Sequence, residues 1–181
     1  MDRESNLHPY VKLARLTVER LLKGGALPAS GSEVDADAAL WNIGRACFVS
    51  IKTLRGDLRG CIGTILPVSP TLDREIVSNA VAASTRDPRF RPMVASELDA
   101  VTFSVDVLSL PEPVPDRSAL DPAVWGVIVS KGGLRGVLLP DLEGVDTVER
   151  QIGIAAQKAG IGNLNGIAIE RFRVDRYKEA E

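Results

Sequence analysis

The segment Leu58-Arg59-Gly60-Cys61-Ile62-Gly63-Thr64-Ile65 holds the residue types best suited to chemistry in this chain. Side chains alternate along a strand, so Arg59, Cys61 and Gly63 fall on one face. Residues two apart lie about 7 Å from each other, within reach of a long arginine. A guanidinium beside a thiol favours the thiolate, which is the nucleophilic form. Gly60 and Gly63 flank the thiol without side chains, and glycine inside a strand often marks close approach by a ligand or another backbone. One reading is a cleft thiol, Cys61, activated by Arg59 and open to substrate beside Gly60 and Gly63. The other is a cysteine acting as a small hydrophobe, with glycines that serve a bulge. Cys47, between Ala46 and Phe48 in an apolar run, reads as core. A cysteine nucleophile ordinarily needs a base. The single histidine, His8, precedes Pro9 at the start of a helical pattern, where an N-cap or packing role suits it better.

A second segment, Arg86-Asp87-Pro88-Arg89-Phe90-Arg91-Pro92, is a cationic loop stiffened by two prolines. It could clamp a phosphate or carboxylate, with Asp87 orienting Arg89 or Arg59 through a charge-assisted hydrogen bond. Alternatively Asp87 caps locally, Phe90 plugs the core and the arginines are solvated. In Arg171-Phe172-Arg173 both arginines share one strand face and Phe172 takes the other, as in a half-buried strand. Leu-Arg-Gly occurs at 54–56, 58–60 and 134–136. No repeat of fixed long period accompanies it, and chance accounts for it as readily as design.

The elements that must position these residues follow from periodicity. Residues 10–23 read as a helix stopped by Gly24-Gly25, and 36–43 as a short helix after a Gly-, Pro- and Ser-rich loop. Residues 46–52 and 58–65 read as strands joined at Gly56-Asp57. Thr71 reads as the N-cap of a helix from Leu72 to about Thr85, which Asp87-Pro88 ends. In 101–109, Val101, Phe103, Val105 and Val107 share one face. A Pro-rich linker at 111–115 precedes runs at 125–130 and 134–139, which flank a Lys131-Gly132-Gly133 hairpin turn. Residues 145–159 read as a helix and 166–174 as the last strand. The order α, ββ, α, β, ββ, α, β predicts an α+β fold on a mixed, largely antiparallel sheet with flanking helices, not a doubly wound parallel sheet.

The chain has 181 residues, 45% hydrophobic and 25% charged, which suits one domain or one split into two lobes. A net charge of −2 argues against nucleic acid as a partner. Sixteen of its 22 cations are Arg, whose fork suits an anionic small molecule. Two cysteines and one histidine make neither a disulfide framework nor a zinc set. With no GxGxxG, GxxxxGK[ST], CxxC or HExxH pattern, neither cofactor nor metal is expected. The first residues, MDRESNLHPY, lack an apolar signal region, and no apolar run reaches the roughly 18 residues of a membrane span. The expectation is a cytoplasmic, soluble, reduced protein.

LRGCIGTI (58–65) resembles the signature of the AMMECR family, whose bacterial and archaeal members are called protein A of the AmmeMemoRadiSam system. Further blocks resemble the family in order: His8-Pro9-Tyr10-Val11-Lys12-Leu13-Ala14-Arg15, CFVSIK (47–52), Asn79-Ala80, Asp87-Pro88-Arg89-Phe90 with Pro92, SVDVLSLPEPV (104–114), Arg135 to Pro140, and KAGI (158–161). Val137-Leu138 replace the family's Thr-Phe, and DLEGVDTVERQ lacks its Gln-Val-Trp pattern. The resemblance implies one two-lobed AMMECR domain over 7–177, with tails at 1–6 and 178–181, and a cleft near the signature. It also implies work alongside a Memo-type protein and a radical-SAM protein. Together these readings favour an enzyme or enzyme component with Cys61 as nucleophile and Arg59 lowering its pKa. Gly60, Gly63, Asp87, Arg89 and Arg135 would then converge on the same site. The rival is a non-catalytic binding or scaffold module, and a weaker alternative is nucleic-acid binding through the arginines of 86–91 and 171–176, which the acidic net charge disfavours.

Overall fold

The structure, a computed structural model, describes residues 7–179. Helix α1 (Pro9–Leu22) and the short α2 (Ala38–Trp41) precede a hairpin of β1 (Cys47–Thr53) and β2 (Leu58–Gly63). Helix α3 (Leu72–Thr85) leads to β3 (Val101–Leu108), then to a two-residue β4 (Glu112–Pro113). A second hairpin of β5 (Gly126–Lys131) and β6 (Leu134–Leu138) is followed by α4 (Val148–Lys158), β7 (Ala168–Phe172) and β8 (Val174–Lys178). The chain divides into two compact units. One runs to Val107 and resumes at Asp175; the other is Leu108–Val174.

The first unit's sheet has the order β2-β1-β3-β8, the second's β4-β7-β5-β6. The pairings β1–β2, β1–β3, β4–β7, β5–β6 and β5–β7 are antiparallel. The expected α+β fold with largely antiparallel pairing and flanking helices is present, and its strands are divided between two sheets. Periodicity locates strands and their faces, but not which strands share a sheet. The strand expected over 166–174 is likewise two strands in different sheets, parted at Arg173. Of the expected tail at 178–181, Lys178 ends β8 and buried Glu179 accepts from Arg15 at 2.6 and 2.8 Å, while 180–181 lie outside the described residues. The tail at 1–6 lies outside the described residues.

In the first unit the apolar stripes of α1 (Val11, Leu13, Val18) and α3 (Ile76, Ala80, Ala83) form one core with Val49, Ile51, Phe103 and Val105 of the sheet. Val101 and Val107 join it, as the alternation of β3 requires. His8 caps α1 by accepting from the amide of Tyr10, and its ring stacks on Tyr177 at 4.0 Å. Thr71 stands at the N-cap of α3 but makes no side-chain cap bond; its hydroxyl donates to Asp73 at 2.5 Å. Buried Glu75 on α3 ties down the 64–69 loop by accepting from the Thr64 hydroxyl and the amides of Val68 and Ser69. In the second unit Ile152, Ala155 and Ala156 of α4 pack on Val127, Val129, Leu138 and Ile169. Both hairpins turn on a glycine with positive φ, Gly56 at 90° and Gly132 at 57°, a region that L side chains rarely adopt.

Candidate functional site

β2 is the edge strand of the first sheet, so one side of its backbone lacks a strand partner. The loop after α3 supplies that partner with side chains. Asp87 Oδ2 accepts from the Cys61 amide at 2.9 Å, while Arg89 Nη2 donates to the Cys61 carbonyl at 3.3 Å. Asp87 also holds Arg89 through the Nε (2.9 Å), Nη2 (2.7 Å) and backbone amide (3.1 Å). The loop thus closes the edge at Cys61. The Arg89 pair, reinforced by these amides, keeps buried Asp87 well below the usual carboxylate range despite its burial. Arg89 itself is shifted upward by the same pairing. Its side chain stays 55% exposed, leaving part of the guanidinium free to meet an anion.

Cys61 points to the sheet face turned away from α3. Its cross-strand neighbour is Ser50, and the next across is Ser104 of β3. Ser50 Oγ donates to Cys61 Sγ at 3.1 Å. One step along lie Gly63, Phe48 and Asp106, the last held by Arg176 of β8 at 2.8 and 3.2 Å. Burial pushes the Cys61 thiol above its usual pKa; Asp106 and Asp87 add to the shift, while Ser50 and Arg89 offset part of it. The thiol is therefore neutral near pH 7. Cys47, fully buried against Asn79, is pushed up to about 12, chiefly by burial.

Two expectations need correction. Arg59 does not activate the thiol. Its Nε and Nη2 donate to Glu97 at 2.7 and 3.1 Å and Nη2 also to the Arg91 carbonyl, so the guanidinium is taken up by the loop that leads into β3. Its plane also lies over Phe90, 5.9 Å from the ring centroid. Gly60 and Gly63 do not open a path to a ligand. A Cβ on Gly60 would meet the Ala83 carbonyl oxygen of α3 at 2.1 Å, and one on Gly63 the Phe48 ring at 2.3 Å. Neither glycine has positive φ, so close packing rather than a turn requires them. Arg135 belongs to the second unit, where its Nη2 donates to Glu170 at 2.7 Å.

Asp87, Arg89 and Cys61 do meet. Sequence reasoning missed Ser50, Ser104, Asp106 and Glu97. The first three carried a signal, since polar residues on the outward face of an apolar strand mark a polar site. Glu97 carried none. Among the described residues no group of His, Cys, Asp and Glu side chains could hold a metal ion, and no helix is long and apolar enough to cross a membrane.

The class this defines is an α+β protein of two antiparallel sheets, with a neutral thiol on a polar sheet face and a carboxylate–guanidinium clamp along the strand that carries it. The chain belongs to the AMMECR1 family, whose model matches residues 11–180. It is 49% identical over 172 residues to a protein of Thermotoga maritima, covering 94% of this chain and 98% of that one. A Clostridium acetobutylicum protein is 46% identical over 95% of this chain, but the match spans only 36% of that longer protein. In the crystal structure of the uncharacterized protein PH0010 from Pyrococcus horikoshii the same fold recurs, with a TM-score of 0.81 and 26% identity over 93% of this chain and 89% of that one.

Proposed function

We propose that this AMMECR1-family chain is a non-catalytic binding module, and that it works beside a Memo-type protein and a radical-SAM protein. One observation carries the first part: Asp87 locks Arg89 onto the Cys61 backbone, leaving the guanidinium half exposed beside a thiol that burial holds protonated. A preset guanidinium binds a carboxylate or phosphate at low ordering cost. A neutral thiol that accepts from Ser50 is a contact rather than a nucleophile, and His8, the one histidine, is engaged at the start of α1. The system membership rests on the resemblance described above.

Two measurements test this. Iodoacetamide labelling of Cys61 across pH should give an apparent pKa above the ordinary value of about 8.5. Fast labelling that is already maximal at neutral pH would return the enzyme reading, with Cys61 as nucleophile. The purified chain should also co-elute with the Memo-type and radical-SAM proteins of its own organism, and separate elution at micromolar concentration would remove the system from the proposal.

A further inference from the structure

Helix α3 covers the sheet with one face and leaves the other outward. There it forms the wall of a groove of about 670 Å³, closed by the loops at 27–30 and 68–70. Leu27, Pro28, Val68, Pro70, Val77 and Val81 give floor and rim a mainly apolar lining, interrupted by serines. Val68 is 81% exposed and Leu27 40%, so the rim offers bare apolar surface on loops stiffened by proline. Arg74 and Arg86 also line it. Neither guanidinium has a hydrogen bond or ion pair within the described residues, whereas most other arginines of this unit have acidic partners. The one carboxylate on the lining, Asp73, is occupied by the Gly31 amide, the Thr71 hydroxyl and the Arg74 amide. The groove is therefore cationic at two points and mainly apolar between them.

We propose that this groove docks an extended segment of a partner protein carrying an acidic residue at each end and apolar residues between. Arg74 opens α3 and Arg86 closes it, twelve residues on, a separation of about 18 Å along the axis at 1.5 Å per residue. Extended chain rises about 3.3 Å per residue, so a six-residue segment, about 17 Å from its first residue to its last, matches that separation. The groove lies on the far side of α3 from the Cys61 face and does not depend on the role assigned to the thiol.

The test is fluorescence anisotropy of the full chain with two labelled peptides, Asp-Val-Ala-Leu-Val-Glu and its counterpart with Lys at both ends. The acidic peptide should bind at least tenfold tighter, and more weakly as salt rises. The double variant Arg74→Glu/Arg86→Glu, exchanging exposed side chains without partners, should keep its melting temperature and reverse the preference. Equal binding of both peptides, or acidic-peptide binding undiminished in the variant, overturns the proposal. So does no binding at 1 mM, or full displacement by millimolar inorganic phosphate, which would mark a site for the bare anion. Self-association of the wild-type chain that the variant abolishes would give the groove to a second copy and equally overturn it.

Discussion

The two units place the same tripeptide at the same point of the same pattern. In each, a hairpin is followed by a helix and a strand, and the sheet orders correspond: β2-β1-β3-β8 in the first, β6-β5-β7-β4 in the second. Leu58-Arg59-Gly60 and Leu134-Arg135-Gly136 lie on the two edge strands. A Cβ on Gly60 would stand 2.1 Å from the Ala83 carbonyl oxygen of α3, and one on Gly136 2.0 Å from that of Ala155 in α4. Both arginines are paired, Arg59 with Glu97 and Arg135 with Glu170. The recurrence of Leu-Arg-Gly at 58 and 134, which the sequence alone assigns to chance as readily as to design, marks one device used twice: glycine lets a helix backbone dock against an edge strand. The third copy, Leu54-Arg55-Gly56, is unrelated and sits in a turn. The units differ in the next position. The first has Cys61, with its amide and carbonyl held by Asp87 and Arg89. The second has Val137, whose backbone no side chain of the described residues engages. The helix-docking device is thus common to both units, and the clamp and thiol belong to one.

Valine at Gly60 or Gly136 should have the largest effect. In each case the new side chain meets a helix carbonyl that cannot move alone, and overpacking of this kind costs about 3 kcal/mol or more. Urea denaturation of both variants should show similar losses. A Gly60→Val chain of near-normal stability would break the correspondence.

Asp87→Ala comes next and should act on the first unit alone. It removes the acceptor of the Cys61 and Arg89 amides, and a buried donor left unsatisfied costs about 1–3 kcal/mol. Glu170→Ala, which removes the partly exposed partner of Arg135, should cost less than about 1 kcal/mol. Equal losses in urea denaturation would show that the clamp adds nothing.

Acid should expose the same asymmetry. Asp87 is held below its unfolded value of about 3.9, so the stability it contributes is complete above that pH. It is lost as pH falls through the lower folded value. Asp87→Asn should therefore be less stable than the wild-type chain above the unfolded value and converge with it as the pH falls toward the lower folded value, as urea midpoints across pH would record. Parallel pH curves for the two chains would contradict the pairing.

The smallest effect separates the two arginines of the first unit. Arg89→Gln should raise the pH at which Cys61 is alkylated, because Arg89 opposes the upward shift of the thiol. Arg59→Gln should leave it unchanged, because that guanidinium is turned to Glu97. A downward move on Arg89→Gln, or a large one on Arg59→Gln, would restore the activation scheme read from the strand pattern.

Local features of the chain were decided by short-range rules. Helix periodicity over 9–22 and 72–85, the alternation of Val101, Phe103, Val105 and Val107, and the glycine turns at 56 and 132 each follow from backbone sterics and apolar patterning within a few residues. Spacing likewise placed Arg59 and Cys61 on neighbouring positions of one strand. Their environments came from residues far along the chain. Glu97, 38 residues on, took the guanidinium; Ala83 and Phe48 filled the space beside the glycines; Asp87 and Arg89 closed the edge. A thiol's pKa depends on burial and on the charges around it, and periodicity reports neither. Which strands share a sheet was settled in the same way, since β7 and β8 are parted by a single residue, yet β7 pairs with β4 and β5 in one sheet while β8 takes the edge beside β3 in the other.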